Sequence, residues 1–179
     1  LGFSRVGIQT IWQVEKDEYC LKVLAKHWPD VRRITNIEEA ETADLATPHI
    51  ITGGFPCQPV SLAGKRRAQS DARWLWPSMC SIIARLRPAF AVIENVPGIL
   101  SAGYDAVCDD LENEAYTIGT LVIPACAFEY PHLRNRLWIL AHTNSVRVAE
   151  GRPANCRGQA GPSVPASVVP SGDWQAVAA

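Results

Sequence analysis

Cys57 stands between Pro56 and Gln58 in a segment opened by Gly53 and Gly54. A thiol attacks as its thiolate, which forms where a positive charge or a hydrogen bond favours the anion. The two glycines let backbone approach a ligand closely, and Pro56 fixes one torsion beside the sulfur. The alternative is a buried structural cysteine, the reading we give Cys20, Cys80, Cys108, Cys126 and Cys156. Glu94 follows the apolar residues 90–93 and precedes Asn95-Val96-Pro97-Gly98. A carboxyl leaving a buried strand is partly desolvated and suits proton donation or sharing; a solvated strand end or a cap partner is the other reading. Glu15 follows a second apolar run, where a carboxylate can accept from ribose hydroxyls. Without a glycine fingerprint beside it, position by itself favours an ordinary loop acid.

Two groups of cations complete the set. Arg134 and Arg136 alternate across Leu133-Arg134-Asn135-Arg136-Leu137. On an extended segment such alternation sends both guanidiniums to one side, where planar donor sets can hold a carbonyl oxygen and a phosphate. A solvated strand entrance is equally open. Lys65-Arg66-Arg67, with Arg73 and Trp74 beyond, is the kind of stretch that is usually solvated surface. Beside a nucleophile it can bind nucleic-acid phosphates.

These residues need elements to hold them, and the hydrophobic pattern supplies them. Residues 8–14 read as a strand. Residues 17–27 place Cys20, Val23, Leu24 and His27 at helical spacing behind the capping Asp17. A short strand is expected at 33–37 and another at 50–52. Leu75, Met79, Ile82, Ile83 and Leu86 form a helical stripe with Pro77 in its first turn and Pro88 beyond its end. Residues 90–93 are the fully apolar kind of strand that a sheet covered on both faces buries. Tyr104, Val107, Cys108, Leu111 and Ala115 mark another helix, and 121–123 and 137–140 the last strands. The alternation predicts an open α/β sheet with helices on both faces. Ligands bind such sheets at the carboxyl ends of the strands, which would gather Glu15, the Cys57 segment and Glu94 at one edge.

Composition sets outer limits. The chain has 179 residues, 47% hydrophobic and 20% charged, with 17 Lys+Arg against 18 Asp+Glu. That length suits one domain with a sizeable core. The net charge of -1 excludes a polycation that coats nucleic acid by charge alone. No apolar run approaches the roughly 20 residues of a membrane span, and the first residues lack a secretory signal's apolar core. The six cysteines are dispersed without a C-x-x-C pair, which argues against a disulfide scaffold or a zinc site and for free thiols in the cytoplasm. Residues 143–179 carry 12 Pro, Gly or Ser among 37 and show no helix or strand period, so we read them as a disordered or linking tail behind a partial domain at 1–142.

Taken together, Gly53-Gly54-Phe55-Pro56-Cys57-Gln58-Pro59-Val60-Ser61, then Glu94-Asn95-Val96, then His132-Leu133-Arg134-Asn135-Arg136 resemble the cytosine-C5 DNA methyltransferases, bacterial and phage members above all. The likeness covers about residues 1–142. It implies a Rossmann-like sheet that uses S-adenosylmethionine and no metal, and double-stranded DNA as partner. In the implied mechanism the Cys57 thiolate adds to C6 of a flipped-out cytosine. Glu94 bonds the base's N3 and exocyclic amine, Arg134 holds the O2 carbonyl, and Arg136 orients the catalytic loop. Gln58, Ser61, Lys65, Arg66 and Arg67 are the implied DNA contacts. The implied cofactor residues are Glu15 on the ribose, Asn36 and Ile37 near the adenine, and Phe55 and Pro56 near the methionine side.

The sequence also departs from the family pattern. Asn36 stands where an acid is usual, so it can accept the adenine amino group's bond but without charge. Lys16 follows Glu15 where an apolar or aromatic residue is common, and His49 replaces a frequent aspartate. The glycine-rich first motif would precede Leu1, with only Leu1-Gly2-Phe3-Ser4-Arg5-Val6-Gly7 trailing from it. The DNA-reading region and the closing helix would follow the strand at 137–140. The expectation is therefore a fragment, incomplete at both ends, from a restriction-modification or phage self-protection system, possessing the catalytic motifs and weak on its own. The competing expectation is a non-catalytic remnant that binds DNA or a partner methyltransferase. A thiol-redox protein and a transfer-RNA methyltransferase relative fit less well.

Overall fold

The computed structural model describes residues 2–56, 74–143 and 175–178. Cys57, Gln58, Ser61, Lys65, Arg66 and Arg67 lie outside the described residues. After a short helix, α1 (Gly2–Arg5), the chain runs β1 (Gln9–Val14), α2 (Glu18–His27), β2 (Arg32–Ile34), α3 (Ile37–Thr42) and β3 (Ile50–Gly53). It continues through α4 (Trp76–Leu86), β4 (Phe90–Asn95), α5 (Tyr104–Asn113), β5 (Tyr116–Ile123), β6 (Arg136–Thr143) and β7 (Gln175–Ala178).

The helices start where sequence chemistry sets them. The Asp17 carboxylate accepts from Cys20 N at 2.9 Å and caps α2. Helix α4 has Pro77 in its first turn and ends at Arg87, whose φ of 49° turns the chain before Pro88. Its buried stripe is Trp76, Met79, Ile82, Ile83 and Leu86, the spacing of one helical face.

All seven strands join one sheet in the order β2-β1-β7-β3-β4-β6-β5. The pairs from β2 through β4 are parallel, while β4–β6 and β6–β5 are antiparallel. Steps from β1 to β2 and from β3 to β4 go opposite ways across the sheet. Right-handed crossovers then put α2 and α4 on opposite faces. The largest fully buried side chains include Ile51, Ile83, Ile93, Ile99, Leu111, Leu137 and Ile139. They pack between α4, α5 and the sheet's inner strands.

Three expectations need correction. The strand expected at 33–37 ends at Ile34, and Ile37 opens α3, because Asn36 Oδ1 accepts from Glu38 N at 3.1 Å and caps a helix. The last two strands are longer than their apolar runs, since antiparallel pairing over Tyr116–Ile123 and Arg136–Thr143 carries polar residues along. The residues after 142 were expected to hold no strand, yet Gln175–Ala178 lie between β1 and β3 at the sheet's centre. Ala176 pairs with both Thr10 and Ile50. Backbone hydrogen bonds make that strand, and a run of only four residues, Gln-Ala-Val-Ala, carries no period to announce it.

Candidate functional site

Glu94 and Asn95 end β4, and the antiparallel register pairs Asn95 with Leu137 and Glu94 with Trp138. That register brings the first residue of β6 back to the same end. Arg136 Nε meets Glu94 Oε1 at 2.7 Å, with side chains 26% and 34% exposed. The other carboxylate oxygen lies against Gly54, where an added Cβ would stand 3.1 Å from Oε2. Any larger residue at 54 would therefore press on the acid.

Asn95 is 3% exposed and fully engaged. Its Nδ2 donates to Phe55 O at 3.3 Å, and its Oδ1 accepts from Val96 N at 2.9 Å. The acid's strand is thus tied to the backbone two residues before Cys57. Phe55 itself is buried, edge-on to Trp74 with ring centroids 5.1 Å apart, and 5.8 Å from Trp76. Trp74 in turn sits over Gly103, where a Cβ would meet its ring at 2.4 Å. Phe55 and Trp74 flank residues 57–73, so one aromatic cluster anchors both ends of the segment that carries Cys57. The Phe55 ring belongs to that cluster and its carbonyl oxygen accepts from Asn95, while Pro56 is exposed.

The two arginines part company. Arg134 precedes β6, is exposed and has φ 26°, so the alternation expected of an extended strand does not extend back to it. Arg136 alone of the two pairs with Glu94. Asn95 and Trp74 were named in the sequence only as neighbours of Glu94 and of the basic stretch, with no role given, and Gly103 was not named. The signal for Asn95 was its place beside Glu94; nothing local marks the other two.

At the far side of the sheet, Glu15 N donates to Ile34 O at 3.0 Å, which sets the ends of β1 and β2 side by side. Glu15 Oε1 accepts from Lys16 N at 2.8 Å and Asp17 N at 2.9 Å. Asn36, exposed, uses Oδ1 on the α3 cap and donates from Nδ2 toward Glu38 Oε2 at 3.5 Å. Ile37 is half-buried against the core. A carboxylate and an amide oxygen on neighbouring strand ends form an acceptor set that fits hydroxyl and amino donors of a nucleoside.

Cys80 and Cys108 fit the structural reading, whereas Cys126 is exposed, contrary to the expectation of a buried thiol, and Cys156 lies outside the described residues. Burial, with Asp110 and Glu114 nearby, pushes Cys80 up to about 11. Burial also raises Cys108. A thiol so shifted holds little thiolate near neutral pH.

The profile of the C-5 cytosine-specific DNA methylase family matches residues 1–165. The Type II methyltransferase M.AplI of Arthrospira platensis is 31% identical over 147 residues, 79% of this chain and 41% of the relative. The Type II methyltransferase M.HgiCII of Herpetosiphon aurantiacus is 27% identical over 146 residues, 78% of this chain and 33% of the relative. A crystal structure of the S. pombe Dnmt2 methyltransferase superposes with a TM-score of 0.65 at 19% identity, covering 80% of this chain and 46% of the other. The last likeness concerns the fold. The chain spans between 33% and 50% of the length of the curated relatives it matches.

Proposed function

This chain belongs to the C-5 cytosine-specific DNA methylases, and on that premise we propose that it carries the catalytic centre of a DNA (cytosine-5-)-methyltransferase. The carrying observation is the Glu94–Arg136 pair at 2.7 Å, held beside the backbone that leads to Cys57. One carboxylate and one guanidinium fixed together complement the pyrimidine edge of cytosine, which offers an amino donor, N3 and the O2 acceptor.

Carbon C5 of cytosine is too weak a nucleophile to accept a methyl group unaided. In the proposed reaction, Cys57 Sγ bonds to C6 and the C5=C6 electron pair moves onto C5, while Glu94 shares a proton with N3. S-adenosylmethionine, when bound, would supply an electrophilic methyl carbon, its sulfur–methyl bond breaking with release of S-adenosylhomocysteine as the bond to C5 forms. Transfer of the C5 proton to water then re-forms the C5=C6 double bond, and the C6–S electron pair leaves with Cys57 as its thiolate. C6 is buried in a duplex, so the base must be extruded first. We assign to Arg136 the O2 contact that the family resemblance gave to Arg134, because Arg136 shares the acid's end of the sheet. Asn95 is a positioning residue for the Cys57 segment. Glu15 would hold the cofactor's ribose, and Asn36 with Ile37 its adenine. Gln58, Ser61, Lys65, Arg66 and Arg67 would close on the duplex.

The relatives are named as Type II methyltransferases, and we place this chain in the modification arm of such a system, acting in the cytoplasm. Among the described residues no helix is long and apolar enough to cross a membrane. A non-catalytic remnant is the second reading. It is favoured by Asn36, whose uncharged oxygen already serves the α3 cap.

DNA containing 5-fluorocytosine separates them, because the fluorine at C5 cannot leave as a proton does. The chain, supplied with the further segments its relatives possess and with S-adenosylmethionine, is expected to form a covalent adduct that Cys57→Ser abolishes. A folded protein that yields no adduct would establish the remnant.

A further inference from the structure

The connection between β5 and β6, residues 124–135, holds three large apolar side chains in solvent. Phe128 is 66% exposed, Tyr130 61% and Leu133 71%. Single exposed residues of this size are ordinary, but three so close on one connection mark a contact surface. The connection has fixed geometry. Ala125 N donates to Leu133 O at 2.8 Å across its base, and Glu129 N donates to Cys126 O at 3.2 Å. Glu129 takes φ 65°, turning the chain after a 3-10 turn at Ala125–Phe128. The Tyr130 and His132 rings lie nearly parallel, 22° apart with centroids at 5.9 Å.

This rigid aromatic strip leads straight into the candidate site. Its last residues are Arg134, exposed, and Arg136, bound to Glu94. Within the connection Glu129 is the single acid and Arg134 the single arginine, and Arg134 stands at the end that adjoins Glu94 and Arg136. Rings interleaved with cations are what single-stranded nucleic acid binds, since every base has a π-face and every linkage a phosphate. Extruding one base from a duplex leaves its partner unpaired and its neighbours unstacked, so such faces arise beside the very site this strip adjoins.

We propose that residues 128–134 form a second DNA-contacting element, in which Phe128 and the Tyr130–His132 stack receive unpaired bases and Arg134 holds an adjoining phosphate. The inference rests on reading the chain as acting on DNA. It assigns the strip to DNA rather than to a protein partner because of the exposed Arg134 beside the rings and the strip's continuity with Glu94 and Arg136.

Fluorescence anisotropy with a mixed-sequence single-stranded oligodeoxynucleotide and its duplex tests it. Tyr130→Ala is expected to weaken single-strand binding about tenfold, and Tyr130→Phe to restore it by keeping the ring. Arg134→Ala should weaken single strand and duplex alike and lower the salt slope by about one, whereas Tyr130→Ala leaves that slope unchanged. A protein that ignores single strands, or a Phe128→Ala/Tyr130→Ala/Leu133→Ala variant that binds them as wild type, overturns the proposal; the latter result assigns the strip to a protein contact. The exposed positions make loss of folding a minor risk, checked by circular dichroism. Formation of the Cys57 adduct without ring-dependent binding would defeat this inference alone. Ring-dependent binding without the adduct would defeat the catalytic reading alone.

Discussion

The half-sheet β3-β4-β6-β5 and the half-sheet β2-β1 each carry one acid of the proposed site, but different forces hold them. In the first, Ile51, Ile93, Leu137 and Ile139 are buried beneath α4 and α5, and α4 alone buries five side chains. Each such side chain is worth about 1.5–3 kcal/mol. In the second, none of α2's residues is buried. Trp12, Ile34, Ala40 and Leu45 are the buried apolar side chains there, and polar contacts add to them: Arg33 donates to the carbonyl oxygens of Leu24 in α2 and Trp28 after it, and Trp12 Nε1 donates to Ala46 O at 3.0 Å. Gln13 Oε1 and Arg33 Nε remain buried without a partner. Hydrogen bonds contribute only about 0.5–1.5 kcal/mol each, and a buried unpaired group costs about 1–3 kcal/mol. Within the sheet the two halves join through β7, a strand beyond the residues that match the family; outside it, α3 packs on α4 and Arg85 Nη2 donates to Ala40 O at 2.8 Å. Glu94 thus stands on a frame with more buried side chains, and Glu15 on one where fewer are buried and polar contacts supplement them.

The largest effect that can sharpen this contrast is a cavity. Ile93→Ala or Leu111→Ala is expected to cost about 2–5 kcal/mol, whereas Val23→Ala on α2, a position 38% exposed, costs under about 1 kcal/mol. Urea unfolding midpoints measure both, and equal losses would break the contrast. Next comes the joining strand. Ala176→Pro removes a backbone donor at the sheet's centre and should cost about 1–3 kcal/mol. Hydrogen exchange should then rise over β1, α2 and β2 while β3, β4 and β6 keep their protection. Uniform loss would mean that the halves fold as one unit.

The smallest expected effect is a pH dependence confined to the packed half. Burial, eased by the Arg87 cation over the ring, pushes the Tyr116 hydroxyl up to about 12, where it donates to Pro88 O at 2.6 Å. In the unfolded chain a tyrosine ionises near 10. Above that pH the unfolded state releases its proton first, so stability present below about 10 declines until the folded hydroxyl also ionises. Unfolding midpoints across this window should fall in the wild type. Tyr116→Phe should start from a lower stability and flatten that part of the slope.

Much of the frame was legible because periodic burial writes itself into sequence. Asp17 announced α2, the stripe from Met79 to Leu86 announced α4, and the apolar residues 90–93 announced the strand that presents Glu94. Helix α3 was hidden, since the six residues Ile37–Thr42 bury only Ala40 and show too little of a period. Strand β7 was hidden because pairing, not side-chain pattern, creates it. Within the site, Glu94 and the Cys57 segment were visible as strand exits. The division of labour between Arg134 and Arg136 was not, because a single turn of φ at Arg134 undoes the alternation that a string of letters suggests.

The sequence by itself determined the chemistry: a cysteine between Pro56 and Gln58, an acid ending an apolar strand, and guanidiniums before another. These are properties of residue type and local order. Tertiary structure decided which groups meet. Only the antiparallel register of β4 with β6 sets Arg136 against Glu94, and only the packing of Trp74 over Gly103 anchors the far end of the Cys57 segment. Such contacts join residues about thirty or more positions apart, where no local spacing rule operates and the balance of burial, pairing and close approach fixes the outcome.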